Sequence, residues 1–244
     1  KVFLESFANK KKKPALLLKT NGATFSVLDK QKTLDKINDI KSKFPNDWDL
    51  PNVYLLHGEL SNEEMNSLYN HPKVKCLTLL THGEGFGRPL LEASMTGLPI
   101  ITTGWSGHLD FLDENLSLLL PGEMKKVPKS VVWDDIIISE SQWFVANETP
   151  FYRALNLIFD NIDDRKVKAE ELMKINREKF SLTKMTEKLD TIVEKYTSHM
   201  SSQVSLNLPK LKKVSSNNTL APELPKLKLP KLKKVTEETV HENS

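Results

Sequence analysis

The stretch Val74-Lys-Cys-Leu-Thr-Leu-Leu80, Thr81-His-Gly-Glu-Gly-Phe-Gly87, Arg88-Pro-Leu-Leu-Glu-Ala93 decides the fold class. Val74 to Leu80 is apolar except for Lys75 and Thr78, the pattern of a short strand buried on both faces. A glycine-bearing loop from Thr81 to Gly87 follows. Pro89 suits the first turn of a helix, where its missing N–H costs nothing, and Gly97 suits the far end of that helix. Strand, glycine loop and helix in this order form half of a parallel β-α-β unit. Its loop opens at the carboxyl edge of the sheet, where open α/β folds bind ligands.

Upstream, Pro14 to Thr20 reads as a strand closed by the turn pair Asn21-Gly22. Helical spacing of Leu34, Ile37 and Ile40 predicts a helix over 33–44, and Val53 to His57 a second strand. Ser61-Asn-Glu-Glu64 is a capping box opening a helix through Met65, Leu68 and Tyr69. Downstream, strands are predicted at 98–103 and 116–120, an inserted hairpin or loop at 121–140, and two or three helices over 150–196. Short loops between alternating strands and helices predict an α/β domain: a Rossmann-like parallel sheet with helices on both faces. Three parts are expected. Residues 1–13, with Val2, Phe3, Leu4 and Phe7 ahead of the charge run Lys10 to Lys13, read as the end of a preceding segment or a linker. Residues 14–197 are the ligand-binding domain, and residues 198–244 a low-complexity tail.

The tail carries the chain's basic character. Residues 206–235 hold eight lysines against the single acid Glu223, whereas 1–205 are close to neutral within an overall net charge of +3. Leu208-Pro-Lys-Leu-Lys-Lys-Val214 recurs as Leu229 to Val235. Prolines at this spacing forbid a continuous helix, and so little apolar variety builds no core, so the tail is expected to be disordered. A domain this neutral is not built to bind nucleic acid, and an acidic surface is the partner that would suit the tail. Cys76 is the only cysteine, which excludes an intrachain disulfide and a cysteine-rich zinc site and fits the cytoplasm. No apolar run reaches the ~20 residues of a membrane span. His57, His82 and His108 fall in separate loops without helical pairing, so no metal is expected. Trp105, Trp133 and Trp143 read as packing residues, with Trp105 on a loop facing the site.

The chemistry converges on Glu84 to Ala93. Gly85 and Gly87 let the backbone approach a ligand closely, and the helix after them presents free amides to an anion. Glu84 in the loop and Glu92 one turn into the helix are poor partners for phosphate but good acceptors for sugar hydroxyls. A ligand anionic in the middle and hydroxylated at both ends fits: a nucleoside diphosphate sugar. Glu84-x7-Glu92 with Gly-Phe-Gly inside and Pro89 at the helix start resembles the hallmark of glycosyltransferase family 4, the group 1 retaining enzymes of GT-B fold. Tyr54 to Glu64, Gly97-Leu-Pro-Ile-Ile101, Gly104 to Phe111 and Leu119 to Gly122 resemble further family segments in the family's order.

The resemblance implies that Glu84 contacts donor-sugar hydroxyls, Glu92 the ribose, and the amides of Gly85, Phe86 and Gly87 the sugar and diphosphate. A basic pair would hold the diphosphate. Lys19 fits its first position, and the second falls to Lys30 or Lys32. Arg88 either joins them or pairs with Glu92. The implied reaction is transfer of a sugar, hexosyl by analogy, to a glycan, lipid or protein acceptor with retained configuration. It needs no cofactor or metal, and the chain would be incomplete without an N-terminal acceptor domain. The rivals are a sugar-nucleotide epimerase, a non-catalytic nucleotide-sugar-binding module, and an interaction protein acting through the tail.

Overall fold

Ile100-Ile-Thr-Thr103, four β-branched residues in a row, form the most deeply buried strand. The computed structural model describes residues 1–20, 27–133 and 135–197. In it this strand, β4 (Ile100–Thr103), lies between β3 (Leu77–Leu79) and β5 (Leu118–Leu120), all parallel. Because side chains alternate along a strand, Ile100 and Ile101 enter different cores. Ile100 joins Tyr69, Leu90, Ala93, Phe111 and Leu172. Ile101 joins Phe7, Leu120, Ala154, Leu155 and Ile158. The layered α/β architecture follows from that alternation, with helices packed on both faces of the strand.

The other parallel strands, β1 (Leu16–Thr20) and β2 (Val53–His57), pair from Leu16 with Val53 to Thr20 with His57. The expected parallel strands are therefore present, but in two ladders rather than one sheet, and none among the described residues joins β1 to β3. Strands begin later than predicted around Pro99, which has no N–H to extend the ladder. β4 starts after it, and Leu77 donates to its carbonyl (2.9 Å). The hairpin is antiparallel, β6 (Gly122–Lys126) against β7 (Gln142–Ala146), so its second strand lies beyond the predicted end at Glu140.

The helices are α1 (Val2–Phe7), α2 (Val27–Ser42), α3 (Asn62–Tyr69), α4 (Arg88–Ser94), α5 (Glu148–Asp160), α6 (Ile162–Lys179) and α7 (Leu182–Thr197). The capping box is complete: the Glu64 amide donates to Ser61 Oγ (3.2 Å) and the Ser61 amide to Glu64 Oε2 (2.7 Å). α2 begins six residues before the predicted start at Thr33, because Asp29 to Lys32 carry helix-compatible but wholly polar side chains, which apolar periodicity does not register. α1, inside the segment 1–13 set apart in the sequence, buries Leu4 and Phe7, with Phe7 5.3 Å from the Phe159 ring. The turn Asn21-Gly22 and the tail from 198 lie outside the described residues.

One buried amide ties α6 to the strand-loop-helix unit. Asn176 donates through Nδ2 to Ser94 Oγ (2.8 Å) and to the Phe111 carbonyl (3.1 Å). Asn176→Leu keeps the volume but strands the Phe111 carbonyl. It is expected to cost about 1–3 kcal/mol of stability, read as a lowered urea midpoint at unchanged slope.

Candidate functional site

The loop 81–87 leaves β3 at its carboxyl end, and its shape is imposed by a second loop, 104–108, that leaves β4 at the same edge. Three bonds join them. The Glu84 amide donates to Ser106 Oγ (3.1 Å), the Ser106 hydroxyl to the Glu84 carbonyl (2.7 Å), and the Gly107 amide to that same carbonyl (3.0 Å). Gly107 allows this approach because a Cβ there would overlap the Gly85 carbonyl and lie 2.9 Å from that of Glu84. Ser106 itself sits at φ 87°, ψ −167°, a region other residues leave to glycine. With its backbone so held, the half-buried Glu84 keeps a carboxylate free of hydrogen bonds and ion pairs.

Gly87 turns the chain into α4 at φ 86°, ψ 50°, where a Cβ would lie 3.1 Å from His108 Cβ. His108 is wholly buried beneath it. Its Nε2–H donates to the Thr103 carbonyl (2.6 Å), and Nδ1 has no partner among the described residues. Phe86 rests against Phe111 (5.2 Å) and Phe180 (6.3 Å), so the loop's phenyl ring leans on the core and leaves Gly85 exposed.

Glu92 stands one turn into α4, which starts where this loop ends. Arg88 Nε meets Glu92 Oε1 at 2.7 Å, an exposed pair one helical turn apart that adds at most about 1 kcal/mol to stability. Of the two roles open to Arg88 in the sequence, this structure has the pairing. Tyr69 lies beside both. Burial pushes its hydroxyl up to about 12, the Glu92 carboxylate adds to the shift, and Arg88 opposes it.

The hairpin closes the other side of the loop, a role the sequence did not disclose. His82 lies flat on Trp143, ring centroids 4.0 Å apart, and its Nδ1–H donates to the Phe144 carbonyl (2.7 Å). The Phe144 amide returns a bond to the His82 carbonyl (3.2 Å), and Trp105 stacks parallel to the Phe144 ring at 5.9 Å. The continuous apolar run Trp143-Phe-Val-Ala146 was the available signal, just beyond the interrupting segment 121–140.

Lys19, at the carboxyl end of β1, donates to the Gly58 carbonyl (2.9 Å), tying together the ends of β1 and β2. Lys30 is exposed on α2. Among the described residues no hydrogen bond or ion pair joins Lys19 or Lys30 to the segment Glu84 to Glu92. None groups three or more His, Cys, Asp or Glu side chains as a metal would require.

The sequence profile of group 1 glycosyl transferases matches residues 1–125, just over half of the chain. The chain belongs to the group 1 glycosyltransferases. Two solved structures of Anabaena HepE share its fold. One, in complex with UDP-glucose, aligns at TM-score 0.52 and 13% identity, and the other, in complex with UDP and glucose, at 0.53 and 11%. Each alignment covers 80% of this chain and 44% of the other, so this glycosyltransferase chain spans less than half the length of those relatives. No curated protein matches the sequence significantly. The family match covers β1 to β5, both loops of the site and all but the last residue of β6, while β7 lies beyond it.

The contact between the two loops makes a prediction that needs no ligand. Gly107→Ala should force the loops apart and speed amide exchange at Glu84 to Gly87. Gly85→Ala, whose Cβ meets nothing within 4 Å, should leave exchange unchanged. Equal protection in both variants would show that the contact does not set the loop.

Proposed function

We propose that this chain holds mainly the donor-binding half of a retaining glycosyltransferase of the family 4 type, taking a nucleoside diphosphate hexose. The observation that carries the reading is the free Glu84 carboxylate, held by Ser106 and Gly107 beside the exposed backbone of Gly85, in a chain of the group 1 family. Glu84 accepts hydrogen bonds from sugar hydroxyls. Glu92, one carboxylate oxygen held by Arg88, accepts from the ribose through the other. The amides of Gly85, Phe86 and Gly87 face the sugar and diphosphate. Lys19 and Lys30 belong to the diphosphate end, while Arg88 stays paired with Glu92.

In this reading the leaving diphosphate takes the proton of the incoming hydroxyl on the same face of the sugar, so configuration is retained without a covalent nucleophile. The protein's contribution is a set of donors fixed before reaction where negative charge grows on the diphosphate. No divalent metal takes part. The ligand of the Anabaena structures makes UDP-glucose the first donor to test. A reducing cytoplasmic setting is proposed from the single Cys76, whose thiol burial pushes up to about 12 and so keeps protonated and unreactive.

Calorimetry of the chain against UDP-, GDP- and ADP-sugars tests the proposal. At least one donor should bind with EDTA present. Loss of all binding on chelation would overturn the metal-free mechanism, and no binding of any donor would overturn the reading itself. The two carboxylates should separate by ligand. Glu92→Ala should weaken nucleotide and nucleotide sugar alike, and Glu84→Ala the nucleotide sugar alone, each by about 1.5–3 kcal/mol. The same loss for both ligands in both variants would contradict the assigned orientation.

A further inference from the structure

Trp105 carries an indole that the described fold holds in place but does not use up. One face lies parallel to the buried Phe144 ring, planes 6° apart and centroids 5.9 Å apart. Among the described residues no second ring stacks on it, and the residue stays 43% exposed. Its Nε1–H makes no hydrogen bond among those residues. That nitrogen stands 3.9 Å from where a Cβ of residue 83 would lie, and residue 83 is glycine. The Gly83 amide donates to Thr81 Oγ1 (2.9 Å), and the Thr81 hydroxyl donates to the Gly83 carbonyl (2.8 Å). The side-chain groups left free around Gly83 are therefore the indole N–H on one side and, next along the chain, the Glu84 carboxylate.

A donor and an acceptor beside a fixed apolar face are the complement of a pyranose ring. The hydroxyls at its rim give and take hydrogen bonds, and its slightly positive axial C–H groups meet the negative face of an indole. A phosphate gains nothing from the carboxylate, and an aliphatic chain gains nothing from the N–H. A nucleobase would stack as well, but the ribose end of the donor belongs to Glu92 on α4. Trp105 stands with the hairpin on the other side of the 81–87 loop. The ring is also fixed beforehand, by Phe144 on its face and by the Ser106 backbone that follows it, so a landing sugar costs little side-chain entropy.

We propose that Trp105 is a platform for a pyranose ring, which it takes against its indole face and by its Nε1–H next to Glu84. The ring is the hexose of the donor or a sugar of a glycan acceptor. The platform rests on the donor reading for the role of Glu84, and the experiment separates the two.

Calorimetry of the full chain with UDP, GDP and ADP and with their glucose esters tests it, and NMR titration adds maltotriose and cellotriose as glycan probes. Trp105→Ala should weaken a glucose ester or a trisaccharide about tenfold and leave the bare nucleotide as in the wild type. Trp105→Phe keeps a ring on Phe144, so its melting temperature should hold, but it loses the N–H and should weaken the same ligand about fivefold. A loss confined to the ester assigns the platform to the donor, and one confined to the trisaccharide assigns it to the acceptor. Wild-type affinity for every sugar ligand in both variants would overturn the platform, as would a wild type that binds no sugar ligand. So would an equal loss for the bare nucleotide, which would make Trp105 a base platform or a structural ring. An ester that outbinds its nucleotide equally in all three proteins would leave the donor reading standing without the platform. A trisaccharide lost in both variants of a chain that binds no nucleotide would leave the platform standing without the donor reading.

Discussion

The carbonyl of Glu84 accepts from the Ser106 hydroxyl and from the Gly107 amide, and the rest of the site is arranged around that double acceptance. It brings two loop backbones to a separation that only glycine at 107 permits. The Glu84 side chain is thereby freed of any structural duty, and a carboxylate with its lone pairs unspent is what a polyhydroxyl ligand needs. Both loops leave neighbouring parallel strands at one edge, so the contact is possible only because β3 and β4 are held in register by the two cores on either side of Ile100 and Ile101. The depth of β4's burial is thus what aims Glu84, several residues away.

A second brace comes from the β6–β7 hairpin. His82, Trp143, Phe144 and Trp105 make a column of ring stacking and paired backbone bonds along the side of the loop away from α4. The family match ends at residue 125, inside β6, so β7, the strand that carries Trp143 and Phe144, braces the loop from beyond it. Anything that tilts the hairpin acts on the loop through His82, whose ring is held by Trp143 on its face and by the Phe144 carbonyl at its edge.

The elements whose signals are local were legible in the sequence. The strand Val53–His57 carried its own apolar run, and the capping box at Ser61 its own two partners. The loop-helix unit at Glu84 carried glycines, proline and acids at fixed offsets, and the family comparison agrees with that reading. What was not legible depended on chain brought from elsewhere. The break between the β1–β2 and β3–β4–β5 ladders is a matter of which strands meet, and no single strand's composition records it. Ser106 as a brace required knowing that its hydroxyl crosses to residue 84, and the burial of α1 that Phe7 finds Phe159. Lys19 was legible as a cation at a strand end, while its bond to the Gly58 carbonyl belongs to the pairing of β1 with β2.

Ser106 places stability and fidelity in opposition. Its backbone occupies a region that costs a serine on the order of 1–3 kcal/mol and a glycine almost nothing. Glycine there would relax the backbone but remove the hydroxyl that both gives to and takes from Glu84. A lineage selected only for thermal robustness would therefore drift toward glycine at this position and loosen the loop. For anyone engineering this scaffold, Ser106→Gly trades relief of the backbone against loss of both bonds to Glu84.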